Sequence, residues 1–199
     1  MASVLLVCLA SYLLGSIPNG LVFGKLIWHV DLREHGSHNI GATNAWRTLG
    51  KGPGFLIFLL DFLKGALSVG LAEVFAPLPL VMVIAGILAI VGHSCSLFLH
   101  FKGGKGVATG LGVIAMLMPL PSLIVFLVWL AIVMVTKYVS LGSCIAAALV
   151  PILSYAWGYP GAYTAFGVLA AAFIIIRHKA NIVRLMNGTE NKIHAGHRD

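Results

Sequence analysis

The chain has 199 residues, 59% hydrophobic and 10% charged, with a mean hydropathy of +0.98. Soluble domains carry about 25% charged residues, so composition excludes a water-soluble fold and points to an all-α, polytopic membrane protein. The net charge of +7 speaks for membrane orientation and an attraction for anions rather than for nucleic acid. No stretch is polar enough to form a separate extramembrane domain, so residues 1–199 are expected to make one domain.

Residues 1–24 carry no charge before Lys25. They lack the basic region that opens a signal peptide, so they read as a retained first span that starts outside. A second span is expected over 53–76, with Asp61 and Lys64 inside it. Pro77 and Pro79 turn the chain into a third, over 80–101, which carries His93. Two long stretches without Asp, Glu, Lys or Arg follow, at 106–136 and 138–176. As single helices they would be about 46 Å and about 58 Å long, against about 30 Å of hydrocarbon. Pro119 and Pro121 offer a break in the first, and Gly158-Tyr159-Pro160-Gly161 a turn in the second. The count is therefore five or seven helices. Seven brings Lys137 to the side of the other basic clusters, so the positive-inside rule favours seven, with the N-terminus outside and the C-terminus cytoplasmic. Residues 106–118 are then a short helix that falls short of a full crossing. Cys8, Cys95 and Cys144 are scattered in apolar stretches and form no metal or CxxC pattern.

Three polar stretches interrupt this apolar chain, at 31–47, 100–110 and 177–192. The first holds small donors from Gly36 to Asn44, flanked by Arg33 and Arg47. Hydroxyl, amide and guanidinium donors of this kind suit a phosphate. The second runs Phe101-Lys102-Gly103-Gly104-Lys105-Gly106 into a helix, where free backbone N–H groups and two lysines favour an anion. It is not a nucleotide P-loop, because Gly106 follows Gly104-Lys105 where Ser or Thr would stand. In the third, one helix over 162–185 would set Arg177, Asn181 and Arg184 on one face, with His178 a turn from Asn181 and Glu190 beyond. Ionisable residues at the depth of Asp61, Lys64 and His93 usually face a partner or an aqueous cavity.

Taken together these stretches resemble the bacterial acyl-phosphate:glycerol-3-phosphate acyltransferase family. The residues that carry the likeness are Asp31-Leu32-Arg33, Gly36-Ser37 and Asn39 to Asn44 with Arg47; then Asp61-Phe62-Leu63-Lys64-Gly65, Gly92-His93 and Phe98 with Phe101 to Thr109. Arg177-His178, Asn181-Ile182, Arg184-Leu185, Gly188, Glu190 and Lys192 complete it. Three positions depart from the pattern: His38 stands where the family usually has Gly, and Cys95 and Ser96 replace an aromatic–Pro pair.

The resemblance implies a seven-helix inner-membrane enzyme, its site facing the cytoplasm, that makes lysophosphatidic acid from acyl phosphate and glycerol 3-phosphate. No metal or other cofactor is expected, since acyl phosphate is already an activated mixed anhydride. The enzyme must hold two anions side by side and aim a hydroxyl at the carbonyl. Ser37, Asn39, the Gly41 backbone, Lys105, His178 and Asn181 are expected to hold the acyl-phosphate head. Arg47, Lys105 and Ser143 are expected to hold glycerol 3-phosphate, and His93 is a candidate base or orienting group. Arg33, Thr43, Asn44, Lys102, Gly103, Gly104, Arg177, Arg184 and Glu190 complete the expected substrate-binding set. Expected partners are membrane lipid and the soluble enzyme that makes acyl phosphate. The His-x4-Asp pair of other glycerol-phosphate acyltransferases is matched only by His194 and Asp199, which read as a chance spacing. A transporter or channel for organic phosphates is the rival reading, separable by uptake of labelled glycerol 3-phosphate into liposomes.

Overall fold

The computed structural model describes residues 1–194, and every regular element among them is helical. Asp199 of the His-x4-Asp spacing lies outside the described residues. The first apolar stretch forms α1 (Ala2–Ser16) and α2 (Asn19–Trp28), bent by 44°. The straight span expected over 1–24 is broken because Pro18 has no N–H to continue the helix. A short helix, α3 (Ala42–Leu49), begins within the first polar stretch. There follow α4 (Lys51–Phe75), α5 (Pro79–Ser94) with a single 3-10 turn at Leu97–Leu99, and α6 (Val107–Leu117). The remainder is α7 (Pro119–Thr136), α8 (Val139–Ala156), α9 (Gly161–Arg177) and α10 (Lys179–Met186).

Pro119 and the turn at 158–161 do divide the two long apolar stretches. The helix expected over 162–185 bends by 61° at His178, so Arg177 does not share a face with Asn181 and Arg184. Four helices are long and apolar enough to cross a membrane, and six if each bent pair counts as one span. With 11 residues, α6 is about 16 Å long, roughly half a hydrocarbon core.

Helices with little to gain from burying leucine against lipid associate through close backbone contact and polar links. Both occur on α4. A Cβ at Gly65 would overlap the Thr109 carbonyl of α6, and one at Gly112 of α6 would overlap the Phe62 carbonyl, so this pair of helices can meet only through glycine. Leu63 and Leu67 face outward on α4 while Asp61, Lys64 and Ser68 are buried. The core proper gathers Val69, Val113, Met118 and Phe166. The unusual Cys95-Ser96 pair works as a staple to α1: Ser96 Oγ donates to the Ser16 carbonyl at 2.5 Å, and the Tyr12 hydroxyl to the Cys95 carbonyl at 2.9 Å.

Candidate active site

Asn44 organises the first loop from its position in α3. Its amide donates to the carbonyls of Leu32 (2.9 Å), His35 (3.0 Å) and Asn39 (2.8 Å), and its Oδ1 accepts the Ser37 N–H at 2.8 Å. Asn39 Oδ1 accepts the Gly41 N–H at 2.9 Å. Asn44 is thus a scaffold, while Ser37, Asn39 and Thr43 present their faces to a cavity below. His38 has φ +56°, a left-handed conformation that glycine adopts without strain. This explains why Gly is usual there. Its ring swings outward, Nδ1 meeting the Arg33 carbonyl at 2.9 Å, and does not crowd the loop. Arg33 is spent on Asp31 (2.7 and 3.0 Å) at the surface, and holds that carboxyl well below the usual carboxylate range. Because α3 is helical, Arg47 turns inward instead, and its guanidinium donates to the Asn191 carbonyl at 2.7 Å, leaving Nε buried without a partner.

The second loop brings Lys105 to the same place, where its Nζ donates to Asn181 Oδ1 at 2.5 Å. Burial, with Arg184 and Arg47 nearby, outweighs the pull of Glu190 and lowers the Lys105 amine to about 8. The third stretch folds back so that Glu190 enters the site, accepting hydrogen bonds from Asn181 (2.7 Å), Ser140 (2.9 Å) and Arg184 (2.8 Å). Burial alone would raise the Glu190 carboxyl, but these donors hold it below its ordinary value. His178, at the bend between α9 and α10, places Nδ1 2.8 Å from the Ile174 carbonyl, and its ring lines the cavity.

The cavity has a volume of about 180 Å³. Its upper part is ringed by Arg47, Lys105 and Arg184, three cations with Glu190 between them. Below, Ser143 receives the Trp129 indole N–H at 3.3 Å, and the lining then turns apolar down to Val125, Val150 and Phe166, all buried. On one flank Phe58 of α4 and Phe126 of α7 face the cavity. Five expected residues do not line it: Arg33 and Lys102 are exposed, and Gly103, Gly104 and Arg177 form a clasp behind Lys105. In that clasp Arg177 donates to the Gly103 and Gly104 carbonyls at 3.3 and 3.0 Å.

Asp61 and Lys64 pair at 2.9 Å, as the spacing suggested, and His93 Nδ1 lies 3.6 Å from the same Asp61 oxygen. Two participants were missed in the sequence. Asn19 donates to Asp61 at 3.0 Å, and Ser140 holds Glu190. A signal existed for Asn19, a carboxamide directly after a proline inside an apolar span. None existed for Ser140. Among the described residues no group of three or more His, Cys, Asp or Glu side chains could hold a metal ion.

A family profile described as Glycerol-3-phosphate acyltransferase matches residues 5–188. A glycerol-3-phosphate acyltransferase from Syntrophomonas wolfei is 47% identical over 192 residues, covering 96% of each chain. Glycerol-3-phosphate acyltransferase 2 of Moorella thermoacetica is 44% identical over 189 residues, covering 95% of this chain and 97% of that one. The fold is similar to crystal structures of PlsY, an integral membrane glycerol 3-phosphate acyltransferase. The glycerol 3-phosphate form gives a TM-score of 0.92 at 42% identity over 96% of each chain, and the lysophosphatidic acid form 0.90 at 40% identity over 97% and 96%.

Proposed function

We propose a division of labour in the site from one premise: the chain belongs to the glycerol-3-phosphate acyltransferase family. It acylates glycerol 3-phosphate to lysophosphatidic acid, an early step of phospholipid synthesis. The donor in our reading is an acyl phosphate, supplied by a separate soluble enzyme. Its phosphate sits against Ser37, Asn39, the Gly41 backbone, Lys105, His178 and Asn181, while Arg47, Lys105 and Ser143 take the phosphate of glycerol 3-phosphate. Thr43 adds a hydroxyl beside them, and Arg184 with Glu190 holds the rim and orders Asn181. Three cations against one carboxylate offset the repulsion of two phosphates, which neither loop could do alone.

The C1 hydroxyl oxygen attacks the acyl carbonyl, the bond from that carbon to the phosphate oxygen breaks, and the departing phosphate takes the hydroxyl proton. The His93 ring is hemmed in between Asp61 and Gly104, which favours an orienting role for it over that of the base. The acyl chain lies along the apolar lower lining and reaches the bilayer through the flank between α4 and α7. A cavity polar at one end and stopped by buried Phe166 at the other favours an enzyme over a conduit. Counting each bent pair once and adding α6 gives seven membrane segments. With the N-terminus outside the bacterial inner membrane, the polar end then faces the cytoplasm.

The observation that carries this reading is the meeting of Arg47, Lys105 and Arg184 from three distant stretches. Phosphate release by purified protein from acyl phosphate and glycerol 3-phosphate tests it. Turnover that requires both substrates and falls at least about 100-fold in Lys105→Ala is expected; undiminished turnover in that variant rejects the assignment.

A further inference from the structure

Lys105 follows two peptide units that are held on both sides. The N–H groups of Gly103 and Gly104 donate to the carbonyls of Ser94 and His93, each at 3.0 Å. Their own carbonyls both accept from one amino group of Arg177, which reaches them from the end of α9. Arg177 stays outside the cavity. Beneath the loop lies the buried His93 ring, so close that a Cβ at 104 would overlap its Nε2 edge. The imidazole is therefore the floor on which Gly104 rests. The opposite edge, Nδ1, has no hydrogen-bond partner and faces the Asp61 carboxylate.

That carboxylate is fixed from three helices. Asn19 of α2 and Lys64 of α4 bind the oxygen that faces His93 on α5, and Lys64 also donates to the Ile17 carbonyl at 2.9 Å, at the break between α1 and α2. Charged groups inside a membrane span are costly, and they are kept where they act on something. An ion pair serving α4 alone would be complete with Asp61 and Lys64. Here the contacts run outward instead, to Asn19, to the Ile17 carbonyl and to the His93 ring under Gly104, and Asp61 and His93 both border the cavity.

We propose that Arg177 and the Asp61–His93 pair are positioning residues, which grip the Gly103–Gly104 peptides from behind and below and so aim Lys105 at the substrate phosphates. The proposal rests on Lys105 being a phosphate ligand, as assigned above. It goes beyond that assignment by giving work to residues outside the set assigned to the two phosphates. Loosening the grip leaves Lys105 present but misdirected, and a misplacement of about 1 Å is worth about 100-fold in rate.

The test is kcat, KM for each substrate and the pH profile of kcat/KM, measured on full-length protein in lipid nanodiscs. Lys105 lies among Arg47, Arg184, Glu190, Asn181, His178 and Cys144, so the pH at which it loses its proton reports its position. In wild-type protein the high-pH fall is expected near 8. Arg177→Ala is expected to lower kcat/KM about 100-fold for both substrates and to move that fall upward, towards the ordinary lysine value, as Lys105 swings into water. Arg177→Lys keeps a donor for the two carbonyls and is expected to recover part of both changes. Asp61→Asn keeps the shape and is expected to shift the limb in the same direction by less. The idea is overturned if the limb stays near 8 in Arg177→Ala and Asp61→Asn, or if Arg177→Ala raises KM for one substrate alone with kcat intact. Should Arg177→Ala not fold, Arg177→Lys and Gly104→Ala, which presses on the His93 ring, decide the matter by the same limb. Wild-type turnover by Lys105→Ala would instead remove the assignment on which the proposal stands.

Discussion

The two loops that line the polar end of the cavity are built in opposite ways. The turn at 36–44 is made almost entirely by its own residues: one asparagine, Asn44, satisfies backbone groups from Leu32 to Asn39, none more than twelve positions away. The loop at 102–106 has no such internal post. It is pinned by the end of α5 and by Arg177 and Asn181, which stand 73 to 76 positions further along the chain. A self-made loop can keep its shape while its surroundings breathe. A borrowed one is only as ordered as the helices that lend to it.

The difference can be broken first at its strongest point. Lys105→Ala is expected to lower kcat/KM by about 100- to 1,000-fold, the range for removing one preorganised donor of transition-state charge. Lys105→Arg, which stays protonated throughout, should keep part of the activity while losing the fall near 8 in the pH profile. Asn44→Ala comes next. It removes four hydrogen bonds from the first loop, each worth about 1 kcal/mol, and is expected to reduce turnover at least tenfold. Because that damage is local, the limb near 8 should stay in place; a limb that moves would show the two loops to be one unit.

Glu190→Gln is a milder cut. The Glu190 carboxyl is lowered on folding, so its stabilising share is present above its ordinary value of 4.5 and fades as pH falls through the lower folded value. Wild-type protein should therefore lose thermal stability on acidification below about 4.5. Glu190→Gln should lack that dependence in a series of melting curves. The smallest effect is expected at His38→Gly, which relieves a left-handed backbone and gives up one exposed contact. Tm should change little, by the equivalent of about 1 kcal/mol or less, and activity by less than twofold.

The same contrast explains what the sequence could and could not disclose. The apolar segments were legible because lipid imposes their length and composition. Asn39, Gly41 and Asn44 were legible as a turn because their chemistry is local. The breaks at Pro18 and His178 were not, although Pro18 was in plain sight, because a proline inside a span is often tolerated when neighbours satisfy the freed carbonyls. Lys64 does this here for Ile17. Arg33, Lys102 and Arg177 look the same in sequence as Arg47 and Lys105. Only the turn of α3 and the 61° bend after α9 decide which cations point inward. The burial of Glu190 depends on Ser140, a hydroxyl fifty positions earlier with no local mark.

The cation cluster has one more consequence, and it concerns the order in which the molecule is made. Arg47 and Lys105 are synthesised before the segment that carries Arg184 and Glu190, so the carboxylate that balances them comes after the first two cations. A nascent or truncated chain lacking that segment presents two inward-facing cations with no counter-charge.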